Sequence, residues 1–175
     1  MERKVLLLGA GSSKLLSVPT PLMAHVPKLT TLDIEPSHKP DVVWDLNKLP
    51  WPFEDNSFDE VHAYEVLEHL GQQGDAASFF AHFWEIYRLL RPLGYCAGSV
   101  PQWDSMWAWG DPSHRRVINE GTFTYLDRTK YKDQIGVTTM TDFRSMWAGD
   151  FEADALERNA ERLWFRLQAH KPARA

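Results

Sequence analysis

The sequence predicts an α/β protein with a doubly wound, mostly parallel sheet that ends in an antiparallel C-terminal hairpin. Apolar runs typical of buried strands alternate with helical patterns along the chain, without an internal repeat. A glycine turn at Gly9-Ala10-Gly11 follows the first apolar run, and an amphipathic helical pattern covers residues 75–90. Because a chain of 175 residues can bury a substantial core, we expect a single domain over residues 1–175.

The apolar runs and the helical pattern locate the main elements before the C-terminal hairpin. We expect strands near residues 3–9, 29–34, 41–45, 58–64 and 94–100. In the helix over 75–90, Phe79, Phe83 and Ile86 recur at helical spacing, and Pro92 stops the helix after Arg91. The same apolar face predicts that this helix packs on the sheet.

The glycine turn and the acid after the second strand predict a cofactor site. Glycines let the backbone approach a ligand closely, and a carboxylate at Asp33 can accept hydrogen bonds from two ribose hydroxyls. Lys14 stands where a G-x-G-x-x-G motif has its last glycine. Three prolines interrupt residues 15–29 and predict a shortened first helix: Pro19, Pro21 and Pro27. An adenosine-containing cofactor without phosphates therefore fits best.

Four motifs in order resemble those of the class I S-adenosylmethionine-dependent methyltransferases. They are the glycine turn, LPWPFEDNSFDEV at residues 49–61, EVLEHL at 65–70 and LRPLGY at 90–95. The resemblance covers residues 4–101 and implies a Rossmann-like sheet with S-adenosylmethionine as the cofactor. It also favours a C-terminal hairpin turning near residues 159–161 over a helix, which the composition of this stretch equally allows.

The resemblance assigns cofactor roles residue by residue. Gly9, Ala10 and Gly11 would line the methionine moiety, and Asp33 would bind the ribose hydroxyls. Further along the chain, the Asp45 carboxylate and the Leu46 backbone would meet the adenine, and Glu65 would lie beside the methionine moiety or the acceptor, so the implied cofactor-binding residues are Gly9, Ala10, Gly11, Asp33, Asp45, Leu46 and Glu65.

Several of these positions also have structural explanations. Asp33 fits a turn cap, Asp45 fits a cap through Asn47, and Glu65 fits an exposed helix start. The family usually has an acid two residues before the first glycine, where this chain has Leu7. Another polar group or water must then position the amino group of the cofactor.

Residues 102–147 are expected to form a Trp-rich segment that covers the site and selects the acceptor. This segment follows the carboxyl end of the fifth strand, where open α/β sheets bind ligands. It carries four tryptophans, of which Trp103 and Trp109 are candidates for acceptor binding. The alternative is an ordered cover loop whose tryptophans close the core.

The run DPSHRR at residues 111–116 resembles a loop of several small-molecule methyltransferases. Asp111 or His114 would accept a proton from the acceptor, with His69 as a further candidate base. Arg115 and Arg116 would hold an anionic group. The Asp-x-x-His spacing is common and has no second cluster beside it in the sequence, so no metal site is predicted.

These motifs favour direct methyl transfer to a small-molecule, sugar or nucleotide-type acceptor. Nucleic acid is not favoured, because residues 63–69 lack the Pro-Pro motif of enzymes that methylate DNA amines, and Cys96 follows Tyr95 rather than proline. One alternative is a non-catalytic binding or scaffold protein that retains the fold. A nicotinamide-dependent oxidoreductase is the other, and no Tyr-x-x-x-Lys pair supports it.

Composition sets further limits on function. The formal net charge is −5, so the overall charge does not favour nucleic acid or an anionic membrane. The single cysteine, Cys96, excludes an intrachain disulfide and suggests a reducing, cytoplasmic location. No apolar stretch has the length of a membrane span. The acceptor and the oligomeric state are not predicted.

Overall fold

The computed structural model describes residues 2–17 and 28–175, which form a seven-stranded sheet in the order β3-β2-β1-β4-β5-β7-β6. Strands β1 to β5 pair in parallel, whereas β7 is antiparallel to both of its neighbours, β5 and β6. The strands are β1 (Lys4–Leu8), β2 (Lys28–Asp33), β3 (Val42–Val43), β4 (Phe58–Tyr64), β5 (Leu90–Pro101), β6 (Phe151–Arg158) and β7 (Arg162–Ala169). The predicted doubly wound sheet with an antiparallel C-terminal hairpin is confirmed.

The strands form where the sequence has continuous apolar runs. All four apolar residues of β1 are buried, because a central parallel strand is covered on both faces. The predicted third strand is too long: only Val42–Val43 pairs with β2, at the edge of the sheet. The fifth strand starts earlier than predicted, at Leu90, and its register shifts between Phe58 and Glu60 of β4.

The long helix α1 spans Ala76–Leu89, as the helical pattern predicts. Asp75 caps its N-terminus by accepting a hydrogen bond from the Ser78 amide at 3.0 Å. Its buried face carries Phe80, Phe83 and Ile86, and the aromatic rings pack towards β6 and the segment before it. The helix therefore covers one face of the sheet. The predicted shortening of the first helix falls mainly on residues 18–27, outside the described part of the chain.

The C-terminal hairpin is confirmed, and the helical alternative is wrong. Leu163, Phe165 and Leu167 alternate inward along β7 and pair with β5. At the turn, the Asn159 side chain accepts hydrogen bonds from the Glu161 and Arg162 amides at 2.9 and 2.8 Å. Tertiary burial outweighs the helix propensity of this stretch.

A buried acid ties the C-terminal residues to the rest of the sheet. Asp150 has no exposed surface and accepts hydrogen bonds from Arg174 Nε and Nη2 at 2.8 Å each. The Arg128 amide donates to the same carboxylate at 3.0 Å, and Arg174 also reaches Asp127 at 2.9 Å. Burial raises the pKa of Asp150, but these hydrogen bonds outweigh it and lower the pKa below its ordinary value.

Residues 102–147 hold three short helices: α2 (Met106–Gly110), α3 (Glu120–Thr124) and α4 (Arg128–Gln134). They lie between β5 and β6 and follow the edge of the sheet at which the parallel strands end. In the parts of the chain that are described, no helix is long and apolar enough to cross a membrane.

Candidate functional site

The glycine turn lies directly after β1 at the carboxyl edge of the sheet. Gly9 and Gly11 have φ of +56° and +55°, in the left-handed region that other residues rarely adopt. A Cβ on Gly9 would overlap Cγ2 of Val66, whereas a Cβ on Gly11 would meet no described atom within 4 Å. The first glycine is therefore needed for packing against the loop after β4. The second leaves space beside its backbone that none of the described residues fills.

The Asp33 carboxylate lies next to that turn, as the spacing of the two motifs predicts. One oxygen accepts from the Gly11 amide and the other from the Glu35 amide, both at 2.8 Å. Only 6% of Asp33 is exposed, and burial raises its pKa; the two backbone donors and nearby His38 outweigh that effect and lower the pKa. Asp33 is thus a charged acceptor at neutral pH that holds the glycine turn in place.

Asp45 and Leu46 lie in the loop that follows the short edge strand β3. The Trp44 amide donates to the Asp33 carbonyl at 2.9 Å, which brings this loop to the same edge of the sheet. Asp45 Oδ1 accepts from the Asn47 amide at 2.9 Å, the turn cap that was the structural alternative. Leu46 is buried. The adenine contacts of Asp45 and Leu46 remain predictions.

Glu65 directly follows β4 and has a backbone conformation that is uncommon outside glycine. Its φ is +53°, and its amide donates to the Ser99 carbonyl at 2.9 Å. Its carboxylate accepts from the Ser99 hydroxyl at 2.6 Å and lies 3.5 Å from Arg162. Unusual backbone conformations of this kind concentrate at functional sites. Glu65 precedes the 3-10 turn Leu67–His69 and is held by β5 at the edge that carries the glycine turn.

The four tryptophans of residues 102–147 divide into two groups. Trp103, Trp107 and Trp109 are exposed, and the Trp109 indole donates to the Trp103 carbonyl at 2.9 Å. Trp147 is buried and stacks with Phe80 of α1 at a centroid distance of 6.0 Å. The first group remains available to an acceptor, whereas Trp147 closes the core as the cover-loop alternative predicts.

The two arginines of the DPSHRR run also differ in their surroundings. Arg115 is exposed. Arg116 is buried and donates to the Leu70 and Gln72 carbonyls at 2.7 and 3.1 Å. Arg116 also lines a cavity of about 500 Å³ between α1 and residues 117–143. Arg116 therefore ties the segment after β5 to the loop after β4, while the substrate role of both arginines remains a prediction.

The same loop brings Glu68, His69 and His114 together. The Arg115 and Arg116 amides donate to the Glu68 carbonyl at 2.8 and 3.1 Å, which fixes the DPSHRR run against the loop. His114 Nε2 lies 3.9 Å from Glu68 Oε1. The His69 and His114 rings pack edge to face, with their centroids 4.8 Å apart. The candidate bases His69 and His114 are thus neighbours.

Glu68 is the site residue that the sequence patterns missed. Only 1% of it is exposed, and burial raises the pKa of its carboxyl group to about 8. Asp111 differs: the Ser113 hydroxyl and amide donate to it at 2.5 and 2.8 Å and lower its pKa. The one available signal was the Glu-His pair in EVLEHL, which fits equally well at an exposed helix start.

The sheet order, the glycine turn and the acid at the end of β2 define the class I methyltransferase fold. A family model described as a methyltransferase domain matches residues 8–98, just over half of the chain. The chain belongs to this family, and S-adenosylmethionine is the cofactor that membership gives it. A search of the curated proteins finds no match.

Several solved structures have the same fold at low sequence identity. An S-adenosylmethionine-dependent methyltransferase from Archaeoglobus fulgidus is 14% identical with a TM-score of 0.60, over 95% of this chain and 86% of that chain. The complex of the Haloferax volcanii Trm112 activator with a methyltransferase matches at 15% identity and a TM-score of 0.60, covering 97% and 84%. The N-methyltransferase NodS from Bradyrhizobium japonicum is 15% identical with a TM-score of 0.56, over 96% of this chain and 86% of that chain.

Proposed function

We propose that this chain is an active S-adenosylmethionine-dependent methyltransferase that transfers a methyl group directly to a small-molecule, sugar or nucleotide-type acceptor. The observation that carries the proposal is the hydrogen bond from the Gly11 amide to Asp33, at 2.8 Å. It joins the glycine turn and the acid at the end of β2 into one preorganised unit. Preorganised polar groups bind a ligand with less loss of conformational freedom.

The residues at this edge fit the adenosyl cofactor. Among residues 2–17 and 28–175, no atom lies within 4 Å of the place where Gly11 would carry a Cβ, which allows a ligand to approach the backbone. Each Asp33 oxygen accepts one backbone hydrogen bond and keeps further lone-pair capacity for a ribose hydroxyl. Asp45 and the Leu46 backbone would take the adenine, and Glu65 the methionine end.

The chemistry asks the protein mainly to position the acceptor. The cofactor, when bound, supplies an electrophilic methyl group on a sulfonium, so alignment and exclusion of water account for most of the protein's contribution. Exposed Trp103, Trp109 and Arg115 lie in the segment after β5 and would contact the acceptor. We assign Glu65 to the methyl-donor side because Ser99 fixes its carboxylate at the end of β4.

His114 is the preferred base where the acceptor carries a proton. A general base works best when its pKa is near the working pH, and the Ser113 hydrogen bonds lower the pKa of Asp111 away from it. Asp111 Oδ2 lies 3.8 Å from His114 Nε2, so it would orient and stabilise the charged imidazole. His69, next to the His114 ring, is the second candidate.

One observation favours a second candidate function, a binding or scaffold protein without catalysis. Leu7 occupies the position where the family usually has an acid, and only 2% of it is exposed. No charged group at that position is therefore available to the cofactor's amino group. Turnover on an identified acceptor would exclude this candidate.

The first test measures thermal unfolding with S-adenosylhomocysteine, S-adenosylmethionine or NAD added separately. At a hundredfold excess over Kd, a bound ligand adds about 2.7 kcal/mol of stability. For a domain of this size, we expect a rise in Tm of roughly 5 to 10 °C with either adenosyl compound. Asp33→Asn should reduce that rise, whereas Asp154→Asn, which removes a carboxylate paired with Arg166 on the outer hairpin, should retain it.

Two results would contradict the proposal. An unchanged Tm with both adenosyl compounds at millimolar concentration would exclude an intact cofactor site, and a rise with NAD alone would favour the oxidoreductase alternative. Once an acceptor is found, His114→Gln should lower kcat and alter its pH profile. Full turnover of this variant would remove His114 from the mechanism.

A further inference from the structure

The three side chains Glu68, His69 and His114 form a cluster of metal-ligating groups at the carboxyl edge of the sheet. One potential ligand atom from each lies within 4.8 Å of the others. No metal site was predicted here from the sequence, because the spacing of Asp111 and His114 alone is common. The fold adds Glu68 and His69 through the backbone hydrogen bonds that join the two loops.

Glu68 supplies the strongest reason to expect a ligand. It is 1% exposed, and neither carboxylate oxygen has a hydrogen-bond partner among the described residues. A buried polar group without a partner costs about 1–3 kcal/mol, and more when it is charged. Most such groups in folded proteins have a partner, and a bound ion would provide one for Glu68.

His69 is arranged as metal-ligating histidines commonly are, whereas the buried Nδ1 of His114 has no hydrogen-bond partner among the described residues. His69 Nδ1 lies 3.2 Å from the Ser113 carbonyl oxygen, which can only accept a hydrogen bond. In the tautomer that donates this hydrogen bond, Nδ1 carries the proton and Nε2 carries the lone pair that a cation would bind. His114 presents Nε2 to Glu68 at 3.9 Å, with 9% of its side chain exposed.

We propose that Glu68, His69 and His114 bind one divalent transition-metal cation, such as Zn²⁺, Mn²⁺ or Co²⁺. Two imidazoles and one carboxylate suit these ions better than Ca²⁺ or Mg²⁺, which prefer ligand sets of oxygen alone. Metal–ligand bonds of about 2.0–2.2 Å would require the three side chains to close on the ion by less than about 1 Å. Three protein ligands leave at least one coordination position open.

The open position gives the site a use, which rests on the proposed function. Glu68 and His69 lie in the loop after β4, where Val66 packs against the Gly9 turn, and His114 belongs to the segment after β5 that is hydrogen-bonded to this loop. A cation at this place would lie beside the methyl-donor end of the cofactor site. It would take water or an oxygen atom of the acceptor, such as a hydroxyl or carboxylate, and lower the pKa of a bound hydroxyl group. With the ion bound, the Nε2 lone pair of His114 is occupied, so the ion would replace His114 in promoting loss of the acceptor's proton.

The test is direct metal binding to untagged full-length protein from which metal has been removed with EDTA. Titration with Co²⁺, followed by visible absorption, and equilibrium dialysis with Zn²⁺ and Mn²⁺ should give one bound ion per chain. Glu68→Gln and His114→Gln should each weaken binding by at least about 10-fold to 100-fold. The matched control is His170→Gln: this imidazole pairs with Glu152 at the opposite edge of the sheet, and its loss should leave binding unchanged.

Two outcomes would overturn the inference: no stoichiometric binding by the wild-type protein at millimolar metal, or equal binding by Glu68→Gln and His170→Gln. Should Glu68→Gln fail to fold, as judged by circular dichroism, the half-buried His69→Ala replaces it in the comparison. The thermal shift with S-adenosylhomocysteine is measured on the metal-free protein. Metal binding without that thermal shift would support the metal site and contradict the proposed function. A thermal shift without metal binding would support the proposed function and contradict the metal site.

Discussion

Substituting alanine at each of the two glycines of the turn should separate a packing requirement from a backbone requirement. Both have nearly the same φ, +56° and +55°, and a residue with a Cβ costs about 1–2 kcal/mol in the left-handed region. Gly9→Ala would in addition press its methyl group into Val66, since the Cβ would overlap Cγ2 and lie 3.3 Å from Cγ1. Such overpacking costs about 1–3 kcal/mol.

We therefore expect Gly9→Ala to lower the free energy of unfolding by about 2–5 kcal/mol, and Gly11→Ala by only about 1–2 kcal/mol. Urea unfolding at one pH, analysed with a common m-value, measures both. In a Val66→Ala background, the cost of Gly9→Ala should fall to the backbone contribution alone. Equal costs for the two glycine substitutions, or no change in the Val66→Ala background, would refute this reasoning.

Three further predictions concern the core and the C-terminal residues. Gly98→Ala should cost about 3 kcal/mol or more in urea unfolding, because its Cβ would lie 2.7 Å from the Ala63 carbonyl carbon; Gly110→Ala, which meets no described atom within 4 Å, is the control. Arg174→Met should cost about 3 kcal/mol at pH 7 by leaving the buried Asp150 charge unpaired. Since the pKa of Asp150 is lowered, its contribution in the wild type is present above the unfolded value near 3.8 and is lost as the pH falls below it. Arg174→Met should flatten this acid dependence, and a parallel loss of stability in both proteins would contradict it. Burial raises the pKa of Cys96 to about 12, so a thiol reagent at pH 8 should label it only at the rate of global unfolding; rapid labelling of the native protein would disprove this.

Features with a local cause were predictable from the sequence. The buried strand β1 and helix α1 each follow from one uninterrupted pattern, and the alternation of Leu163, Phe165 and Leu167 identified β7. The proximity of Asp33 to the glycine turn also followed, because parallel strands end at one edge of the sheet. The predicted length of the third strand was too great, since this strand lies at the edge of the sheet and pairs with β2 through only two residues.

The grouping of Glu68 with His114 was not predictable. These residues are separated by strand β5 and helix α1, and they meet because backbone amides of residues 115 and 116 bond the Glu68 carbonyl. Backbone hydrogen bonds of this kind leave no trace in side-chain patterns. In the same way, nothing in the composition of residues 102–147 separates buried Trp147 from exposed Trp109.

The position of β7 between β5 and β6 has a consequence for how the chain folds as it is synthesised. Strands β1 to β5 emerge from the ribosome in an order that lets each find a neighbour at once. Strand β6 emerges next and has no partner, because β5 pairs with β7 and not with β6. Until residues 162–169 follow, the edge of β5 is open and the pocket for Phe165 is empty. The nascent chain therefore exposes an unpaired strand edge for a defined interval, the period in which it is most prone to associate with other chains.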